Sequence, residues 1–172
     1  MKIELTWPEV RCAIENGIHR HVYDSSKNFK LTYGTQGDFF QRIELTTRGC
    51  VGEVAVSKAL NLYWTGVGGL RFPDVGGLIE VRTISQKNHR LILHDADVDS
   101  QIAILVFVGE EPTQCELMGW IPCSEGKSKE FESDPVGGRP AYFIPQKNLR
   151  PMEDIWAHIK QSAPRKLEEA YV

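Results

Sequence analysis

The sequence predicts an α/β fold, a central mixed sheet flanked by helices, formed as a single domain over residues 1–172. Three observations point there. Apolar residues near the N-terminus recur at helical spacing, and a second, longer stretch does the same. From residue 78 onward the pattern changes to short β-branched and apolar runs separated by polar turns. Helices first, strands in the middle and a helix last is the order of a sheet covered by helices.

The first helix is predicted over residues 7–23. Val10, Ala13, Ile14, Ile18 and Val22 follow the helical period and form its expected core face, with Thr6 as N-cap, Pro8 in the first turn and Glu9 completing a capping box. Residues 24–37 are polar and turn-rich, with one short extended piece expected over 29–33. A long helix follows over 38–62, with a possible break at Gly49 and with Val51, Val54, Ala55, Ala59 and Leu62 on one side. Glycines and Pro73 make 65–77 a loop. Strands are expected over 78–84 and 90–94, and the polar residues 85–89 between them suit a hairpin. Residues 101–108 are continuously apolar and β-branched, which marks a central strand covered on both faces. Further strands are expected over 114–121 and 141–144, a mobile loop with one helical turn over about 124–140, and a last helix over about 152–161.

A chain of 172 residues can bury one core. With 41% hydrophobic and 25% charged residues, general disorder is not expected. The net charge of −3 is not that of a chain built for indiscriminate grip on nucleic acid, although local patches decide that question. Cys12, Cys50, Cys115 and Cys123 form no C-x-x-C pair and are too sparse for a disulfide scaffold, so reduced, mostly buried thiols are expected. Residues 1–8 lack the pattern of a signal peptide, and the longest apolar stretch, 102–108, is too short to cross a bilayer. These features lead to the expectation of a cytoplasmic protein with no membrane partner.

The chemistry concentrates between Arg71 and Thr83. Side chains alternate along a strand, so Ile79, Val81 and Thr83 share one face, and Leu78, Glu80, Arg82 and Ile84 the other. Apolar neighbours place Glu80 at least partly inside, where a carboxylate needs a partner or a metal. Asp74 precedes the strand in a Gly-rich turn that lets the backbone double back. Two carboxylates converging beside a cation make a hard-oxygen site suited to magnesium.

Pro73-Asp74 followed by Glu80-Val81-Arg82 resembles the signature of the PD-(D/E)xK nuclease superfamily, and Gly52-Glu53 resembles the glutamate that superfamily supplies from its first core helix. The resemblance covers roughly residues 45–121 and is closest in character to small phage-type or bacterial members. It implies a restriction-endonuclease-like core of αβββαβ type and a Mg2+- or Mn2+-dependent nuclease acting on DNA. Asp74, Glu80, the Val81 carbonyl and Glu53 would hold the metal, Glu53, Asp74, Glu80 and Arg82 would form the catalytic set, and Arg71, Lys87 and Arg90 would contact phosphates. Arg82 stands where the superfamily usually has lysine. An arginine is always charged and cannot act as a base, but it can stabilise charge on phosphate, and Lys87 or Lys58 could supply an ammonium instead. The alternatives are a catalytically inactive module that keeps the fold to bind nucleic acid or protein, and an unrelated α/β protein with structural carboxylates.

Other signals carry less. Residues 95–99 alternate aspartates as a calcium loop does, but Ser100 and Val106 stand where that loop needs glycine and glutamate. His89 and His94 fall on opposite strand faces, while His19 and His21 do not face one another on a helix and are expected to be solvated. Gly66 to Gly69 lacks the lysine and hydroxyl of a phosphate loop. Tyr63, Trp64 and Phe72 are expected in the core.

Overall fold

The structure, a computed structural model, describes residues 1–27, 38–67, 72–135 and 137–162. Its elements are β1 (Lys2–Glu4), α1 (Trp7–Ser26), α2 (Phe39–Leu60), β2 (Ile79–Ile84), β3 (Leu91–Leu93), β4 (Ile102–Val108), β5 (Gln114–Pro122), α3 (Cys123–Gly126), β6 (Glu132–Ser133), β7 (Ala141–Ile144) and α4 (Ile155–Ser162). The expected short strand at 29–33 and the basic residue Arg71 lie outside the described residues.

Both long helices begin on capping boxes. Thr6 and Glu9 cap α1 reciprocally, as the sequence predicts, and Asp38 and Gln41 do the same for α2. The second helix runs unbroken through Gly49. Its residues Cys50–Val56 are buried all round, because α1 covers one side and the sheet the other.

The core face of α1 differs from expectation. Val10, Ala13, Gly17 and His21 are buried, whereas Ile14, Ile18 and Val22 remain exposed. The cause is Gly17: a Cβ there would lie 2.7 Å from Thr47 Cα, so the helix turns its glycine towards α2 for close approach. His21, expected in solvent, packs its ring against Phe39 at a centroid distance of 4.9 Å.

Four strands form the main sheet in the order β1-β5-β4-β2, with β2 parallel to β4 and the other pairs antiparallel. The sheet is therefore mixed, as predicted. The strand β4 is central and feeds two cores. Ile102, Ile104, Val106 and Val108 join the α1, α2 and α4 side, while Ala103 and Leu105 join a second cluster with Ile84, Leu91, Leu93, Ile121 and Ile144.

The predicted hairpin between β2 and β3 does not form. Instead β3 pairs with β7 in a separate three-stranded sheet, β3-β7-β6, and the edge of β2 that faces the sheet is taken by β4. The polar residues after Ile84 do turn the chain, but Leu91 and Leu93 bury their side chains in the second cluster, so β3 lies over the main sheet and does not extend it. The region expected as a mobile loop holds α3, a 3-10 turn at Lys129–Phe131 and β6. The final helix is preceded by a 3-10 turn at Met152–Asp154. Cys50, Cys115 and Cys123 are buried free thiols, and Cys12 is exposed. Among the described residues no helix is long and apolar enough to cross a membrane.

Candidate metal centre

The site is built by a turn, a strand edge and a helix. Gly76 and Gly77 are consecutive left-handed residues, with φ of +60° and +71°. They reverse the chain so tightly that Val75 and Ile79 exchange both backbone hydrogen bonds, at 3.2 and 3.0 Å. Side chains with a Cβ would be strained at both positions. The reversal brings Asp74 back alongside β2, where its Oδ2 accepts from the Val81 N–H at 2.8 Å. In an extended strand the N–H and C=O of one residue point to the same edge, so the Val81 carbonyl also faces the Asp74 side. Trp64 bridges the other side of Val75.

The helix α2 comes close to β2 because position 52 is glycine. A Cβ there would lie 2.3 Å from Thr83 Oγ1. This contact sets the next residue, Glu53, against the turn. Glu53 is buried and fully engaged: Arg20 of α1 donates to both its oxygens at 2.8 Å, and Trp64 Nε1 donates to Oε2 at 2.7 Å. Arg20 Nε also donates to the Gly66 carbonyl at 2.7 Å, tying the loop after Trp64 to α1.

On the opposite face of β2, Arg82 is anchored three ways. It donates to Glu80, to Asp97 Oδ1 at 2.8 Å and to the Ile92 carbonyl at 3.0 Å. Asp97 in turn accepts from the His94 N–H at 2.8 Å. Lys127 donates to the Asp97 carbonyl and spends its charge on the exposed Asp99.

Four carboxylates thus stand against two guanidiniums. Burial, followed by the charges of Glu80 and Glu53, pushes the Asp74 carboxyl up to about 8, against the pull of the Val81 N–H and Arg82. Burial likewise holds Glu80 above the usual carboxylate range, with Asp97 and Glu53 adding to it and Arg82 opposing. Burial would discharge Arg82, but Glu80 and Asp97 outweigh it and raise the guanidinium above its ordinary value. With Glu53, Asp74, Glu80 and Asp97 all ionised, Arg20 and Arg82 leave two negative charges uncompensated.

The structure therefore brings Glu53, Asp74, Glu80, Val81 and Arg82 into one electrostatic cluster. The basic residues expected beside it are elsewhere. Lys87 follows the far end of β2, pairing with Glu116 and lying 5.1 Å over the Phe107 ring. Arg90 lines a small cavity with Glu130, Ser133 and Lys147 near β6 and β7. Lys58 pairs with Glu9 at 2.8 Å. Leu78 precedes β2 and packs on the first core, away from the Glu80 face. Tyr63 and Phe72, expected in the core, are 68% and 64% exposed.

Sequence reasoning missed Arg20 and Asp97 and did not give Trp64 its hydrogen bond. Asp97 belongs to the aspartate run that resembles a calcium loop; its actual partner is fifteen residues earlier. Nothing in the helical pattern of α1 separates Arg20 from its other arginine, Arg11.

The donor chemistry suits a hard divalent ion. Among the described residues, only one oxygen of Asp74 and one of Glu80 are engaged, which leaves each carboxylate a second oxygen for a ligand. Glu53 fits less well, since both its oxygens are occupied. No group of three or more His, Cys, Asp or Glu side chains among the described residues is arranged to hold an ion. Magnesium needs only one or two carboxylates, with waters completing its shell. No family model, no curated protein and no solved structure matches the chain.

Proposed function

We propose that this chain is a metal-dependent nuclease of the PD-(D/E)xK type acting on DNA, with Mg2+ or Mn2+ held by Asp74, Glu80 and the Val81 carbonyl. The observation that carries the reading is the half-buried pair Asp74 and Glu80, both held above the usual carboxylate range in a cluster of four carboxylates and two guanidiniums. Carboxylates crowded together and partly removed from water are costly to ionise, and a divalent cation is the partner that removes the cost. The chain order also supports it: helix α2, the bridged pieces at Trp64 and Val75, then β2 and its parallel neighbour β4. The crossover between β2 and β4 carries β3 and an acidic turn in place of a helix.

The ion, when bound, would acidify a water and neutralise charge developing on phosphate. Glu53, held by Arg20 and Trp64, acts on the pair through its charge and keeps the turn in place. Arg82 positions Glu80 and does not reach for phosphate, because each of its three guanidinium nitrogens already donates to an acceptor. That same observation favours a second reading, an inactive module of the same fold, since the cation that usually serves the reaction is committed to structure.

Two measurements decide between them. Magnesium or manganese should raise the melting temperature of the wild type and not that of Asp74→Asn, and labelled DNA should be cleaved with metal. A thermal shift without cleavage of single- or double-stranded DNA leaves the inactive module. Equal shifts in both proteins place the ion elsewhere and remove the metal reading.

A further inference from the structure

A cleft of about 580 Å3 opens between α1, α2 and the loop after Trp64, lined by Asn16, His19, Arg20, Tyr23, Thr46 and Val67 among others. Its volume lies within the range of roughly 300–1,000 Å3 that encloses nucleotide-sized ligands. One wall belongs to the carboxylate cluster: Arg20 lines the cleft and donates to both oxygens of Glu53 and to the Gly66 carbonyl. The cleft offers the Asn16 amide, the His19 imidazole, the hydroxyls of Thr46 and Thr65 and the Asp24 carboxylate, an acceptor for the amino edge of a base, together with the ring of Tyr23, which is 54% exposed. Lys27 lies 5.7 Å over that ring and provides a cation beside it.

Two more rings stand in the same unit. Tyr63 and Phe72 are exposed on either side of the Trp64–Val75 bridge, which links the cleft loop to Asp74, and the Gly76 N–H donates to the Tyr63 carbonyl at 3.0 Å. Among the described residues Lys27 is the cation beside the Tyr23 ring, while Lys87 and Arg90 sit towards β5 and the second sheet and Lys58 is tied to Glu9. A duplex hides the faces of its bases and is gripped through phosphates, whereas a single strand presents base faces to aromatic rings. The exposed rings of Tyr23, Tyr63 and Phe72 favour the single strand, which offers them base faces.

We propose that this cleft is a nucleobase subsite and that the chain binds single-stranded nucleic acid, one base stacking on Tyr23 with its edge towards Asn16 and His19. The proposal rests on the nuclease reading for its biological sense but is tested independently of it. Binding of a labelled, non-self-complementary DNA oligonucleotide and of its duplex is measured by fluorescence anisotropy with the full-length protein and a chelator. The single strand should bind more tightly than the duplex, because only the single strand presents base faces to the rings. Tyr23→Ala should weaken single-strand binding about tenfold, the scale of one lost stacking contact, and Tyr23→Phe should restore it. Asn16→Ala should alter base preference. Equal or tighter duplex binding, no binding of either, or a Tyr23→Ala variant that binds as the wild type does would overturn the proposal. Single-strand binding in a protein that neither responds to magnesium nor cleaves DNA would keep the subsite and discard the nuclease. Metal-dependent cleavage with no effect of Tyr23→Ala would do the reverse.

Discussion

Asp74→Asn should stabilise the metal-free protein at alkaline pH. The Asp74 carboxyl moves from 3.8 in the unfolded chain to about 8 in the folded one. Between those values the folded state holds a proton that the unfolded state has released. Stability from this group is therefore full below pH 4, falls as pH rises, and levels off above pH 8. At about 1.4 kcal/mol per pH unit, the loss across that window is on the order of 5 kcal/mol. Asparagine retains an acceptor for the Val81 N–H, which Asp74 Oδ2 satisfies at 2.8 Å, and does not titrate. Wild type and variant should melt together near pH 4.5 and separate by roughly 10–20 °C at pH 8.5, taking about 2–4 °C per kcal/mol for a chain of this size. Magnesium should narrow the gap at pH 8.5, because it stabilises only the protein that can ligate it, by about 2.7 kcal/mol at a hundredfold excess over its dissociation constant. Below pH 8 each ion must displace the Asp74 proton, so affinity should rise close to tenfold per pH unit between pH 6 and 8. The assay is a melting series with and without magnesium, paired with calorimetric titration. Parallel pH profiles for the two proteins in chelator would refute the reasoning.

Other perturbations probe the shell. Arg82→Ala leaves the buried Asp97 and the half-buried Glu80 without their cation and should cost about 3–5 kcal/mol in urea unfolding, with cleavage per folded molecule lowered at limiting magnesium and recovered at saturating magnesium; turnover that stays abolished at saturating magnesium in a well-folded variant would return Arg82 to the chemistry. Gly52→Ala should destabilise by about 1–3 kcal/mol despite the better helix residue, because the new methyl meets Thr83 Oγ1, and Gly52→Ala with Thr83→Ala should recover most of the loss; a more stable single variant would show that α2 has room to shift. Arg20→Met and Glu53→Gln, singly and together, should show a coupling energy of about 2 kcal/mol or more in a double-mutant cycle, and additive effects would mean that the bidentate pair contributes nothing.

Much of this arrangement was legible before the structure, for reasons that lie in local patterns. The helix α2, the strand β4 and the positions of β2, β5 and β7 follow from periodicity, caps and apolar runs, which act over a few residues. The neighbours of a carboxylate in a glycine turn are also local, so the influence of Glu80 on Asp74 could be read from spacing. Partners set by tertiary packing left no such mark. Arg20 reaches Glu53 across thirty-three residues, and the partner strand of β3 lies near residue 142. The face of α1 was misread because a glycine, which periodicity does not count as apolar, forms its closest contact. The three-residue β1 was missed because so short an edge strand carries no alternation to detect.

The anchoring of Arg82 has a consequence for how the molecule opens. The small sheet rests on the main one through a second, separate apolar cluster, and Arg82 spans the gap by gripping the Ile92 carbonyl and Asp97. Regions with their own modest core tend to detach as cooperative units well before the whole chain unfolds. The β3-β7-β6 layer is such a unit, and its detachment breaks the contacts that hold Arg82 against Glu80. Amide exchange at Leu91–Leu93 and Ala141–Ile144 is thereby coupled to the state of a carboxylate on another sheet. A ligand that draws Glu80 away from Arg82 would register as faster exchange in that layer, a signal of site occupancy that requires no turnover.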